Sequence, residues 1–109
     1  MNELPEVITT YLTAHHARDL DPAMARYTDD AEVLDEGQSY RGKPEIRAWL
    51  AQAAGEYTYT IELVATERVD DEHFVAVHHL EGDFPGNVVD LRFEFALRDG
   101  RIARLVIAP

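Results

Sequence analysis

The chain has 109 residues, no cysteine and a formal net charge of −11. That length fits one domain, residues 1–109, with a genuine core. The charge argues against nucleic acid, whose phosphates need Lys and Arg, and against anionic membrane surfaces. The missing cysteines exclude a disulfide framework and thiol chemistry. No apolar run is long enough to span a bilayer. The first residues, Met1 to Pro5, lack the charged and apolar regions of a signal peptide. A cytoplasmic location is therefore the default expectation.

In chain order, Leu4, Val7, Ile8, Tyr11, Leu12 and His15 form a helical stripe. Pro5 supports a first helix that ends near Ala17. Asp21-Pro22 reads as an N-cap followed by proline at the first helical position, opening a short helix to about Tyr27. Thr28-Asp29-Asp30 reads as a break. Ala31 to Asp35 is a short strand, Glu36-Gly37-Gln38 a turn, and Ser39 to Arg41 the antiparallel return. Gly42 permits the exit, Pro44 suits the first turn of a helix, and Glu45 favours its positive end. Ile46, Trp49, Leu50 and Ala53 then share one helical face, and Gly55 ends the run.

After Gly55 the period changes from helical to alternating. Tyr57, Tyr59, Ile61, Leu63 and Ala65 share one face of a strand; Thr58, Thr60, Glu62 and Thr66 share the other. Further strands span His73 to Phe84, Asn87 to Arg98 and Arg101 to Ala108. Asp70-Asp71-Glu72, Pro85-Gly86 and Asp99-Gly100 supply the turns. The pattern predicts an α+β domain: a curved antiparallel sheet wrapped around three N-terminal helices. The concave side of such a sheet encloses a cone-shaped pocket.

Tyr11-Leu12 through Asp19-Leu20-Asp21, Tyr27 through Ala31, Tyr40-Arg41-Gly42 with Ile46 through Leu50, and Asp99-Gly100-Arg101-Ile102 run in order along nearly the whole chain. In these blocks the sequence resembles the nuclear transport factor 2-like superfamily, in particular its SnoaL-like and ketosteroid-isomerase-like members. The resemblance implies the cystatin-like α+β barrel and a homodimer built through the sheet, on the face of Asp90, Arg92, Glu94, Thr58, Thr60 and Glu62. It implies that Tyr11 is the donor to a developing enolate oxygen and Asp35 the general base. The isomerases' second acidic donor has no counterpart, since Phe93 or a neighbour occupies that place. The superfamily spans many functions, so fold alone licenses only analogy.

Each candidate has a plain structural alternative. Asp35 is a pocket base or part of a polar turn, Asp35-Glu36-Gly37. Tyr11 is a hydroxyl donor or a packed core ring. His15, one turn later on the same face, is a pocket acid/base, a partner of Asp35, or a satisfied core histidine. Of His78 and His79 only one can point inward, and His78 shares parity with Phe74, Ala76 and Leu80. Tyr27, Trp49, Tyr57 and Phe93 line an apolar cavity or fill the core. Metal binding is poorly supplied: there is no cysteine and no paired-histidine helix motif. Ser39 lacks a nucleophile elbow, Lys43 stands at an exposed helix start, and no phosphate loop is present. No cofactor is expected.

Acid/base chemistry on a small apolar organic ligand is what these residues best provide. The expected function is an isomerase or cyclase-type enzyme, abstracting a proton next to a carbonyl. The alternative is a non-catalytic small-ligand-binding or dimerisation domain of the same fold.

Overall fold

The computed structural model of the protein describes residues 4–53, 59–82 and 86–109. Its elements are α1 (Glu6–Ala17), α2 (Leu20–Ala25), β1 (Tyr27–Asp35), β2 (Gln38–Arg41), α3 (Gly42–Ala53), β3 (Tyr59–Arg68), β4 (His73–Gly82), β5 (Val88–Arg98) and β6 (Arg101–Ala108). No helix among the described residues is long and apolar enough to cross a membrane.

The apolar stripe of α1 becomes its buried face, with Ile8, Tyr11 and Leu12 inside. Arg18 ends the helix in the left-handed region at φ 61°. Its N–H returns to the His15 carbonyl, and that of Asp19 to Ala14, so two otherwise unpartnered carbonyls are satisfied. Helix α2 starts two residues earlier than Asp21-Pro22 suggests, with Asp19 at the N-cap and Leu20 first in the helix. Pro22 is tolerated in the first turn because those N–H groups have no intrahelical acceptor. The helix also stops at Ala25, because Tyr27 already belongs to β1. That strand absorbs the expected break at Thr28-Asp29-Asp30, where its register against β6 shifts between Tyr27 and Glu32.

Glu36 and Gly37 join β1 to β2 with φ of 54° and 78°; Asp99 and Gly100 join β5 to β6 with 53° and 77°. Two central residues at positive φ define the tight hairpin turn that matches strand twist. In α3, Ile46, Trp49 and Leu50 are buried as their spacing predicts. Arg47 on its outer side reaches Asp21 of α2 at 2.8 Å. The expected Gly55 stop lies outside the described residues, as do Thr58 and the Phe84-Pro85 end of the second long strand.

The six strands form one sheet in the order β2-β1-β6-β5-β4-β3. It curls around the helices and stays unclosed, with β2 and β3 as edges. Four of its junctions are antiparallel, but β1 pairs with β6 in parallel. The meander from β3 to β6 is antiparallel as expected, and the parallel junction joins it to β1. The meander after α3 ends on a strand that returns beside the first.

Register fixes the faces. Phe93 stands opposite Ala76 and Ile107, Phe95 opposite Phe74 and Leu105, and Leu105 opposite Val33. All of these are buried against the helices. Asp35 pairs with Ile107, so it shares this concave face. On the other face Asp90 and Glu81 flank His79, Arg92 pairs with Glu94 at 3.8 Å, and Arg104 and Arg41 both reach Glu32. Two parity assignments fail. The β3 register shifts between Leu63 and Ala65, which places Ala65 opposite outward-facing Val77 and Thr66 opposite buried Ala76. A bulge at Val64 moves every later residue of the strand to the other face.

Candidate active site

Helix α1 lies across the concave face and aims Tyr11 and His15, one turn apart, at the aromatic interior. Tyr27, the first residue of β1, meets them from below. The Tyr27 hydroxyl donates to the Tyr11 hydroxyl at 2.5 Å. Tyr11 Oη lies 2.9 Å from His15 Nδ1. Tyr11 has one hydrogen and accepts from Tyr27, so that hydrogen goes to Nδ1. His15 then carries its own proton on Nε2.

Burial sets the charge states. It pushes the Tyr11 and Tyr27 hydroxyls far above the ordinary tyrosine range, so both remain neutral donors. It pulls His15 down to about 3, helped by the neighbouring His16 and His78. Burial likewise lowers His78 to about 4 and lowers His16. These imidazoles are neutral at physiological pH, which makes His15 a neutral hydrogen-bond donor rather than a cation. A base whose pKa falls on folding destabilises the fold in acid, because the unfolded chain binds the proton more readily. Stability should therefore be fully present above about pH 6.5, the unperturbed histidine value, and fall progressively toward pH 3–4. Urea midpoints across that window measure it. Substituting His15 by Phe should flatten part of the slope.

Asp35 is half-buried at the end of β1. Its Oδ2 accepts the Trp49 indole N–H at 3.0 Å. That bond uses α3 to hold the carboxylate toward the helices, so Asp35 is not simply a solvated turn residue. His15 is not the partner of Asp35. Both instead meet Trp49: the His15 ring lies 5.8 Å from the indole, centre to centre. The Phe93 ring lies 5.7 Å from that of His15. Trp49 and Phe93 are thus packed groups that position polar neighbours. Tyr27 supplies a hydrogen bond to Tyr11. Tyr57 lies outside the described residues.

His78 faces inward, as its parity predicts, and is 1% exposed. Its ring packs on Phe93 at 4.5 Å and on His16 at 5.1 Å. His79 points outward between Asp90 and Glu81, at 2.6 and 2.9 Å. Its pKa is raised, first by the Asp90 bond and then by Glu81. Sequence reasoning passed over His16. Its signal was available: Thr9, Thr13 and His16 recur at helical spacing beside the apolar stripe. Among the described residues no group of three or more metal-ligating side chains converges.

A family model described as the SnoaL-like domain matches residues 8–105. The chain belongs to the SnoaL-like family. No curated protein matches it. A crystal structure of a candidate polyketide cyclase from Sinorhizobium meliloti is 33% identical, with a TM-score of 0.90 over 97% of this chain and 96% of that one. Two more distant structures share the fold. One, from Catenulispora acidiphila, has a ketosteroid-isomerase-like fold and holds trimethylamine; it is 16% identical, with a TM-score of 0.82 over 96% and 85% of the two chains. The other, from Mycobacterium tuberculosis, holds estradiol-17β-hemisuccinate; it is 15% identical, with a TM-score of 0.77 over 94% and 90%. This SnoaL-like domain thus keeps the nuclear transport factor 2-like architecture, with three helices in a curved six-stranded sheet.

Proposed function

We propose that this SnoaL-like protein is a small-molecule isomerase or cyclase-type enzyme that removes a proton next to a carbonyl. The observation that carries the reading is the placing of Asp35 and His15 around one indole, on the concave face. The carboxylate of Asp35 is the base. The neutral Nε2–H of His15 is the donor to the enolate oxygen, a role the hydroxyl of Tyr11 would otherwise have. Tyr11 gives its hydrogen to Nδ1 and thereby holds His15 in the donating tautomer; Tyr27 in turn orients Tyr11. A preformed donor inside a low-dielectric interior contributes several kcal/mol to a developing oxyanion, on the order of 3–4 for one good bond. The aromatic walls from Trp49 and Phe93 suit a flat, apolar, polyketide-like substrate, and the resemblance to a candidate polyketide cyclase points the same way.

The test is deuterium exchange at the acidic C–H of cyclic and linear β-diketones in D2O, followed by proton NMR. Exchange first-order in protein is expected. Saturable binding of the same compounds without exchange would favour a non-catalytic ligand-binding domain. That second reading draws on the dense packing of Tyr11, Tyr27 and Trp49, all buried.

We also assign the outer face of the sheet to a homodimer. Thr60, Glu62, Asp90, Arg92 and Glu94 lie on it, with Val77 and Val106 half-exposed among them. Exposed ion pairs contribute little each, so the valines supply the apolar part of the contact. Sedimentation at micromolar protein should give twice the chain mass; a monomer would overturn the assignment.

A further inference from the structure

A second place in the molecule has polar groups without partners. It lies between α1 and the edge of the sheet. An open groove of about 220 Å³ runs there. Leu12, Ile61 and Leu63 form its apolar walls, and Thr9, Thr13 and His16 its α1 side. His78 is its most deeply buried lining residue. Neither ring nitrogen of His78 has a hydrogen-bond partner among the described residues, and His16 Nδ1 has none either. Buried polar side-chain atoms are normally satisfied, and leaving one unmade costs on the order of 1–3 kcal/mol. Both His78 nitrogens are closed off from the groove as the ring stands, so a partner reaches one only when the ring turns toward it, and the unmade bond favours that turn.

The groove's edge strand is altered at the same point. Leu63 is 38% exposed and Val64, the bulged residue, 52%. Bulges in edge strands often re-aim side chains beside binding sites. Here the bulge follows directly on Leu63, the last groove-lining residue of β3.

We propose that the α1–β3 groove is a binding site for a neutral, single-ring organic molecule carrying a hydroxyl, which hydrogen-bonds to His78. Size sets the single ring: the volume corresponds to roughly seven waters at about 30 Å³ each. Chemistry sets the hydroxyl. A neutral imidazole offers one donor and one acceptor, and a hydroxyl answers either. Charge is excluded on both sides, because no Lys, Arg, Asp or Glu among the described residues lines the groove. The hydroxyls of Thr9 and Thr13 donate to the carbonyls of Glu6 and Thr9 within the helix, which leaves their lone pairs to accept. The site goes beyond the proposed chemistry at Asp35 and uses other residues.

Benzyl alcohol and toluene make the test, since they share a ring and differ by the hydroxyl. With protein labelled at the imidazole nitrogens, benzyl alcohol should shift the His78 resonances saturably. It should bind about tenfold more tightly than toluene, the worth of one modest buried hydrogen bond. In a His78→Phe variant, of similar shape and without ring nitrogens, the two should bind within twofold of each other. The wild-type NMR titration stands even if that variant fails to fold. Unmoved His78 resonances, or equal affinity of wild type for the two compounds, would overturn the site. The readout is the His78 ring itself, so the result is separate from whether Asp35 exchanges a proton.

Discussion

Replacing Asp35 by Asn should lower β-diketone exchange by about 10²–10⁴-fold, the contribution typical of a positioned acid or base, while the fold stays intact. The asparagine carbonyl can still accept the Trp49 indole N–H that Asp35 accepts at 3.0 Å. It offers no carboxylate to take a proton. Trp49 therefore keeps its partner, and near-ultraviolet circular dichroism of the variant should match wild type. Kinetics of exchange over substrate concentration separate the two parts of the effect. Loss of rate with little change in half-saturation means the carboxylate acts on the proton. A parallel rise in half-saturation would mean that Asp35 mainly binds. Full retention of exchange would remove it from the chemistry.

Tyr11→Phe should be the most damaging single-atom deletion in the interior. Removing Tyr11 Oη strands two groups at once, the Tyr27 hydroxyl that donates to it and the His15 Nδ1 that accepts from it. Each stranded group costs on the order of 1–3 kcal/mol, read from urea unfolding. Tyr27→Phe should cost clearly less. It leaves Tyr11 still donating to His15, with only an acceptor lone pair unused. The same pair of variants divides tautomer from packing. In Tyr11→Phe the His15 proton is no longer held on Nε2, so exchange should fall as well as stability. Equal destabilisation by the two variants would contradict the chain of bonds running Tyr27 to Tyr11 to His15.

Much of this architecture is legible in the sequence. Period marks α1 and α3, and their stripes are the faces that are buried. Asp99-Gly100 marks its hairpin because a two-residue turn at positive φ has few other solutions. What escapes is non-local. The parallel pairing of β1 with β6 joins residues about seventy positions apart, and nothing in either strand encodes the partner's direction. The bulge at Val64 sits in the run Leu63-Val64-Ala65, three apolar residues without a glycine to mark it. Alternation therefore reads straight through it and misplaces Ala65. At the site, spacing puts Tyr11 and His15 one turn apart and gives His78 its inward parity. It cannot supply the bond between Trp49 and Asp35, because α3 meets β1 only once the helix lies on the sheet. The unpartnered nitrogens of His78 are likewise a property of packing, invisible until its neighbours are known.

The most direct test of the central claim is an NMR titration with dimedone, a cyclic β-diketone whose enolate mimics the proposed intermediate. The protein would carry labels at the aspartate side-chain carboxyls and at the histidine ring nitrogens. The Asp35 carboxyl and His15 Nε2 should move together along one saturation curve, with His15 Nε2 protonated before and after binding. Resonances of Asp35 and His15 that stay in place while dimedone binds elsewhere, or His15 found with its proton on Nδ1, would contradict the account.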